Sequence, residues 1–302
     1  MANGTWTEMK KSLKKSALIA LLVPILASPI QDTKKNSYQN PFQRDIKEQL
    51  LSINYEVNYA NAGSNTSPYK KYYESISPLI THLEEKGFQM NSLVQDPRFE
   101  IYEGTKNRFK PSTKRKSLSL DEYKKALGYE DKKNRISDFM DKNMNQLELA
   151  EQTYGIPKQV ISAIIGVESD FGVNLGDYNP FNVYFSMYAN NYKKAFATTQ
   201  LEELLIFCKK QKINVYDLKS SHAGAISHAQ FLPSSLNSLF VGDDIYDMKD
   251  NIFSVANYLS ESKKRTKNLE KAIFDYNRSD LYVKTILNLA KEAEEILENS
   301  KF

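Results

Sequence analysis

A mainly α-helical fold is predicted by three observations. Apolar residues recur at three- and four-residue spacing through most of the chain, alternating strand patterns are scarce, and Gly and Pro fall between the helical stretches. With 302 residues the chain is long enough for one large domain or two small ones, each with a real core. A content of 41% hydrophobic and 26% charged residues is that of a globular protein.

From the N-terminus, Lys10, Lys11, Lys14 and Lys15 precede an apolar run from Ala17 to Ala27, after which Gln31-Asp32 restores polarity. A basic stretch followed by about ten apolar residues is an export signal, too short to span a bilayer core of about 30 Å as a helix. Leu26-Ala27-Ser28 fits the small-x-small cleavage pattern poorly, so residues 1–27 read either as a signal peptide or as an uncleaved membrane anchor. Removing them takes out four Lys and Glu8 and leaves 37 basic against 36 acidic residues, so the basicity of the chain (+4) belongs largely to this segment. A nucleic-acid binder normally keeps a concentrated positive face, and that class is disfavoured.

Residues 28–71 are rich in Asn, Gln, Ser and Tyr and read as a linker, with one short helix over 45–53. A domain is expected over 72–300, with its core at about 135–292. Within it, Lys110–Ser119 reads as an exposed loop. Ile136, Phe139, Met140, Met144, Leu147 and Ala150 fit one helical face, as do Ile252, Val255, Ala256 and Leu259, and then Val283, Ile286, Leu287, Ala290 and Ala293. The lone Cys208 shares a face with Leu201, Leu204 and Leu205, which predicts a buried thiol rather than a nucleophile.

The most informative stretch runs from Tyr154-Gly-Ile-Pro157 to Gly172. Pro157 suits a first helical turn and Gly172 a C-terminal stop. Between them Ile161, Ile164, Ile165 and Glu168 fall at i, i+3, i+4 and i+7, which places a carboxylate on an apolar face near the negative end of a helix. Both effects raise its pKa, and a carboxylic acid protonated near neutral pH is what cleavage of a glycosidic bond needs. Position alone leaves a surface glutamate at a helix end equally open. Asp170, two residues on, points about 200° around such a helix, cannot pair with Glu168 and reads as structural or exposed. Nothing in the spacing of Asp177, Asp243, Asp244 or Asp247 nominates a second acid.

Two further segments carry polar groups. Ser221-His-Ala-Gly-Ala-Ile-Ser-His-Ala-Gln-Phe-Leu-Pro-Ser-Ser235 combines small residues, which permit close backbone approach, with the amide of Gln230. His222 and His228 without an acidic ligand set are a weak metal signal. Asp275-Tyr276-Asn277-Arg278-Ser279 lies between two helices and reads either as a plain turn or as the lining of a sugar groove.

These segments, in this order, resemble the lytic murein transglycosylase B family. The resemblance rests on Tyr154–Pro157 with Ile164-Ile-Gly-Val-Glu-Ser-Asp-Phe-Gly172, and on Ser221 and Ala223-Gly-Ala225 leading into Gln230-Phe-Leu-Pro-Ser-Ser235. Ser254-Val-Ala-Asn-Tyr-Leu259, Tyr276-Asn277-Arg-Ser279 and Tyr282-Val283 continue it, and Lys86-Gly-Phe88 and Asp96-Pro-Arg-Phe99 resemble the family's N-terminal region. Coverage is about residues 72–295. The resemblance implies a lysozyme-like fold with an N-terminal helical extension and an enzyme that cuts peptidoglycan glycan strands between N-acetylmuramic acid and N-acetylglucosamine without adding water. It further implies that Glu168 acts as acid and then as base, that Ser221, Gln230, Tyr276 and Asn277 hold the sugars and acetamido groups, and that Phe171 and Phe231 pack the groove floor. It implies no cofactor. Phe240–Asn251 is shorter than the calcium-binding loop of some relatives and lacks its Asp spacing, so no metal is expected. Lys193 and Lys194 fall near a basic pair of relatives.

One departure stands out. Ile226-Ser-His-Ala229 occupies a stretch that is glycine-spaced and often aromatic in relatives. A hydrolytic muramidase and a catalytically inactive wall-binding protein are the alternatives. The expected protein is an exported, periplasmic or envelope-associated monomer, attached to the membrane only if residues 1–27 are retained.

Overall fold

The computed structural model describes residues 68–105 and 118–299. The export segment, the linker up to residue 67 with its expected helix at 45–53, and most of the loop at 110–119 lie outside the described residues.

Among the described residues the fold is helical, with only three isolated β-bridges and no sheet. The helices are α1 (Pro68–Glu85), α2 (Met90–Val94), α3 (Leu120–Leu127), α4 (Tyr129–Lys142), α5 (Met144–Tyr154), α6 (Lys158–Ser169), α7 (Pro180–Ala189), α8 (Lys194–Gln211), α9 (Pro233–Leu239), α10 (Met248–Thr266), α11 (Leu269–Tyr276) and α12 (Asp280–Asn299). The mainly α expectation holds. α1 begins at Pro68, four residues before the expected start of the domain. No helix is long and apolar enough to cross a membrane among the described residues.

α6 is the centre of the arrangement and packs against α12, α4, α10 and α5. Every residue from Val160 to Val167 is buried, including Ser162 and Gly166. The isoleucines therefore mark one side of a helix that is enclosed on all sides, as expected of a helix surrounded by others. Its mostly β-branched interior has mediocre helix propensity, so its stability comes from tertiary burial.

The helical face from Ile136 to Ala150 is not one helix. α4 ends at Lys142, Asn143 leaves the helical region at φ −119°, and α5 begins at Met144. The Asn143 amide donates to the Phe139 carbonyl at 2.8 Å, spending its side chain on the orphaned end of α4. Ile136, Phe139 and Met140 on α4 and Leu147 and Ala150 on α5 are all buried, so the apolar period runs through a break in the backbone.

Cys208 is buried among the leucines of α8, where burial pushes its thiol up to about 12. That leaves no thiolate for nucleophilic chemistry near neutral pH.

Candidate active site

Glu168 sits in the last turn of α6. The residue keeps partial access to solvent, while enough protein surrounds its carboxyl that burial dominates its chemistry. Burial raises its pKa to about 7, and a hydrogen bond from Tyr282 opposes part of that rise. The Tyr282 hydroxyl, in the first turn of α12, donates to Oε1 at 2.7 Å.

Two more tyrosines feel the Glu168 charge. Tyr123 on α3 and Tyr276 at the end of α11 both have phenols pushed up first by burial and then by Glu168. Tyr282, Tyr123 and Tyr276 therefore remain neutral hydroxyls around the one carboxyl. Among the described residues no Asp or Glu hydrogen-bonds Glu168 or shifts its pKa.

The structure brings Tyr276 and the Gln230 turn together. The Tyr276 hydroxyl donates to the Ala229 carbonyl at 2.5 Å, next to Gln230. Its ring meets Tyr258 edge-on, with centroids 4.7 Å apart, and packs on Phe231 at 5.7 Å. Phe231 is thus buried core beneath this turn, whereas Phe171 lies elsewhere, folded over Gly166 and against Phe139 at 5.1 Å.

The turn is built by bridges Tyr178↔Ser220, Ser220↔Ile226 and Ile226↔Phe231. Ser227 (φ 75°) and Gln230 (φ 51°) both occupy left-handed backbone. Residues other than glycine enter that region at a cost of roughly 1–2 kcal/mol each. Local bonds compensate. The Gln230 side chain donates through Nε2 to the Ser227 carbonyl at 2.9 Å, and the Ala229 backbone N–H donates to Asn251 at 3.0 Å.

Ser221 uses its hydroxyl within its own turn, accepting from the Ala225 N–H at 3.2 Å. Neither Ser221 nor Gln230 hydrogen-bonds Glu168 among the described residues. Asn277 is buried, and its Oδ1 has no hydrogen-bond partner. An unsatisfied buried acceptor costs about 1–3 kcal/mol, and because this oxygen is closed off from solvent a ligand N–H or O–H reaches it only if the atoms covering it move.

The histidines serve structure. His222 meets the Tyr178 ring edge-on at 6.5 Å, and His228 bonds through Nε2 to the Tyr246 carbonyl at 2.8 Å. No three His, Cys, Asp or Glu side chains converge on a metal-sized space among the described residues. In the segment 240–251, Asp250 accepts backbone N–H groups from Asp243 (3.0 Å) and Asp244 (3.1 Å). Lys193 starts α8 in left-handed backbone against Tyr192 and Phe196, and Lys194 lies over Tyr188.

α6 ends earlier than expected. Its stop is Asp170, at φ 56°, followed by Phe171 at φ 59°, and Gly172 comes only after both. Asp170, read as structural or exposed, lies past the end of the helix and is held by ion pairs. It binds Lys132 at 2.9 Å and Arg135, both on α4.

Sequence reading left two site residues without a role. Tyr282 stands within a quoted motif, and its i+3 spacing from Ser279 marks only a helix start. Tyr123 carries no motif at all. Both reach Glu168 through long-range packing of α12 and α3, which no local pattern encodes.

The profile described as Transglycosylase SLT domain matches residues 81–269. The membrane-bound lytic murein transglycosylase B of Escherichia coli (strain K12) is 33% identical over 127 residues, 40% of this chain and 35% of that protein. The match thus spans about a third of that relative's length. Among solved structures, soluble lytic transglycosylase SltB1 from Pseudomonas aeruginosa superposes with a TM-score of 0.64 at 23% identity, over 76% of this chain and 99% of that one. The Escherichia coli lytic transglycosylase Slt35 in complex with bulgecin A gives 0.63 at 18%, over 78% and 95%. SltB3 from Pseudomonas aeruginosa in complex with NAG-NAM-pentapeptide gives 0.64 at 16%, over 74% and 79%. At these identities the structures establish a shared, lysozyme-like fold.

Proposed function

Because the chain belongs to the transglycosylase SLT domain family, we propose that it is a lytic transglycosylase that cuts the β-1,4 bond between N-acetylmuramic acid and N-acetylglucosamine in peptidoglycan. The observation that carries this reading is Glu168, a carboxyl whose pKa burial raises to about 7, bonded to Tyr282 and, among the described residues, with no second carboxylate bonded to it or shifting it. Such a group is protonated in a useful fraction near neutrality and can give and then take a proton.

In the first step Glu168 delivers its proton to the bridging oxygen as the bond from that oxygen to C1 of the muramoyl sugar breaks. The positive charge at C1 is met by the carbonyl oxygen of the sugar's own acetamido group, so a second protein carboxylate is not required. In the second step the Glu168 carboxylate takes the proton from the C6 hydroxyl, whose oxygen bonds to C1. The products are an N-acetylglucosamine hydroxyl and a 1,6-anhydromuramoyl end, and no water is consumed. Glu168 returns to its acid form.

Ser221, Gln230, Tyr276 and Asn277 hold the sugars in this reading. The Tyr276–Ala229 bond supports a fixed wall beside Gln230, and the unpartnered Oδ1 of Asn277, next in the chain, would receive an acetamido N–H once substrate binding uncovers it. The basic and apolar run at 10–27 supports export to the periplasm or envelope, either cleaved or kept as an anchor, with the domain at 72–300 acting on glycan strands as a monomer. These two steps call on no metal or cofactor.

Mass spectrometry of purified peptidoglycan digested by the protein tests the reading. Anhydromuramoyl ends are expected. Reducing muramoyl ends would replace it with hydrolysis, and an undigested wall would overturn it.

A further inference from the structure

α6 is terminated in an unusual way, and the means lie on another helix. Asp170 and Phe171 both take left-handed backbone immediately after the turn that bears Glu168, ahead of Gly172, which continues the run at φ 87°. What holds them there is α4. Lys132, only 4% exposed, donates to Asp170 at 2.9 Å, and Arg135 binds the same carboxylate oxygen. Burial pushes the Asp170 carboxyl up, but Lys132 and then Arg135 outweigh it and hold the group below its ordinary value. The Arg135 guanidinium also lies 5.3 Å from the Phe171 ring centre, and that ring closes on Gly166 and Phe139. Within the turn, Ser169 accepts from the Gly172 N–H at 3.0 Å and bonds to the Ile165 carbonyl.

A buried lysine is a costly way to end a helix if stability is the only gain, because desolvation offsets much of the ion-pair energy. We propose that the Lys132–Asp170–Arg135 network is a positioning device, which pins the exit of α6 to α4 and so holds the last turn of α6, and the Glu168 carboxyl, against Tyr282. Asp170, Lys132 and Arg135 are positioning residues and touch no substrate. Arg135 also pairs with Asp131 on α4 at 2.7 Å, so removing the Asp170 charge leaves the buried Lys132 without its ion-pair partner while Arg135 keeps one.

The inference rests on the transglycosylase reading only for its kinetic test. In the full chain, Asp170→Asn is expected to lower kcat on peptidoglycan about tenfold with KM within twofold, and to shift the Glu168 midpoint in a carboxyl carbon NMR titration as the contact with Tyr282 loosens. The double variant Asp170→Asn/Lys132→Met removes the unpaired lysine, and its melting temperature recovers while kcat stays low and the midpoint stays shifted. Arg135→Gln, at a half-exposed position that the fold tolerates, is expected to lower kcat severalfold with KM unchanged, and it decides the matter if Asp170→Asn does not fold. Parent-like kcat and KM in Arg135→Gln, or lowered melting temperatures with parent-like kcat and titration, would overturn the proposal and leave a simple staple. A parent protein inactive on peptidoglycan overturns the functional reading instead. The titration then still decides this one, since an unmoved Glu168 midpoint in Asp170→Asn sinks it.

Discussion

The Tyr282 hydroxyl lies 2.7 Å from Oε1 of Glu168, across 114 residues of chain and between α12 and α6, the two helices most extensively packed against each other. The bond has two consequences. It favours the charged form of a carboxyl that burial drives toward neutrality, and it fixes which oxygen faces away from the phenol.

Tyr282→Phe removes the stabilising donor and leaves burial unopposed. The Glu168 pKa should rise above about 7, carrying the alkaline limb of the kcat/KM profile to higher pH. A hydrogen bond to a charged group contributes roughly 1.5–3 kcal/mol, so a loss of about tenfold in kcat/KM below the limb is expected from a carboxyl that is no longer held. An unmoved limb would remove Tyr282 from the site.

Glu168→Gln retains shape and removes the exchangeable acid. Turnover of peptidoglycan should fall by about two to four orders of magnitude, while pull-down on insoluble wall stays near that of the parent. Clearing of wall suspensions at the parent rate would eliminate Glu168 as the acid.

The same variant carries an opposite prediction for stability. The Glu168 pKa is raised in the folded protein, from an ordinary 4.5 to about 7. Its contribution is therefore fully present below pH 4.5 and is lost as pH rises through 7, because the folded state must then hold a buried charge. At about 1.4 kcal/mol per tenfold, the loss is roughly 3 kcal/mol. Glu168→Gln should match the parent in urea unfolding at pH 4.5 and exceed it by about that amount at pH 8. Equal stability at both values would mean that the carboxyl is not desolvated.

How much of this was legible in sequence varies residue by residue. The helix bearing Glu168 was, because Pro157 and three isoleucines at helical spacing are local facts. Its end was not. Glycine is the statistical stop, whereas here Asp170 takes the left-handed position with its carboxylate held by Lys132 and Arg135, more than thirty residues earlier in the chain. The apolar period of 136–150 was equally blind to the break at Asn143, since burial on both sides of a kink keeps the same spacing. Asn277 was assigned from its motif, yet its buried, unpartnered acceptor is visible only in the packed fold, and Tyr123 gave no sequence signal at all.

Two glycines separate close approach from conformational freedom. Gly176 has φ 87°, and a Cβ there would lie 2.1 Å from the Ser220 carbonyl oxygen, a backbone atom in the bridge that organises the Ser221–Gln230 turn. Gly155 has φ 66°, but a Cβ there meets nothing within 4 Å. Gly155→Ala should therefore cost only the left-handed penalty, about 1 kcal/mol, with activity kept. Gly176→Ala must move the backbone as well, so a cost of about 3 kcal/mol or more is expected, together with a raised KM as Ser221 and Gln230 lose register. Urea unfolding beside steady-state kinetics on the two variants checks both halves. Equal costs would mean that the Tyr178–Ser220 bridge yields freely and does not set the position of the turn.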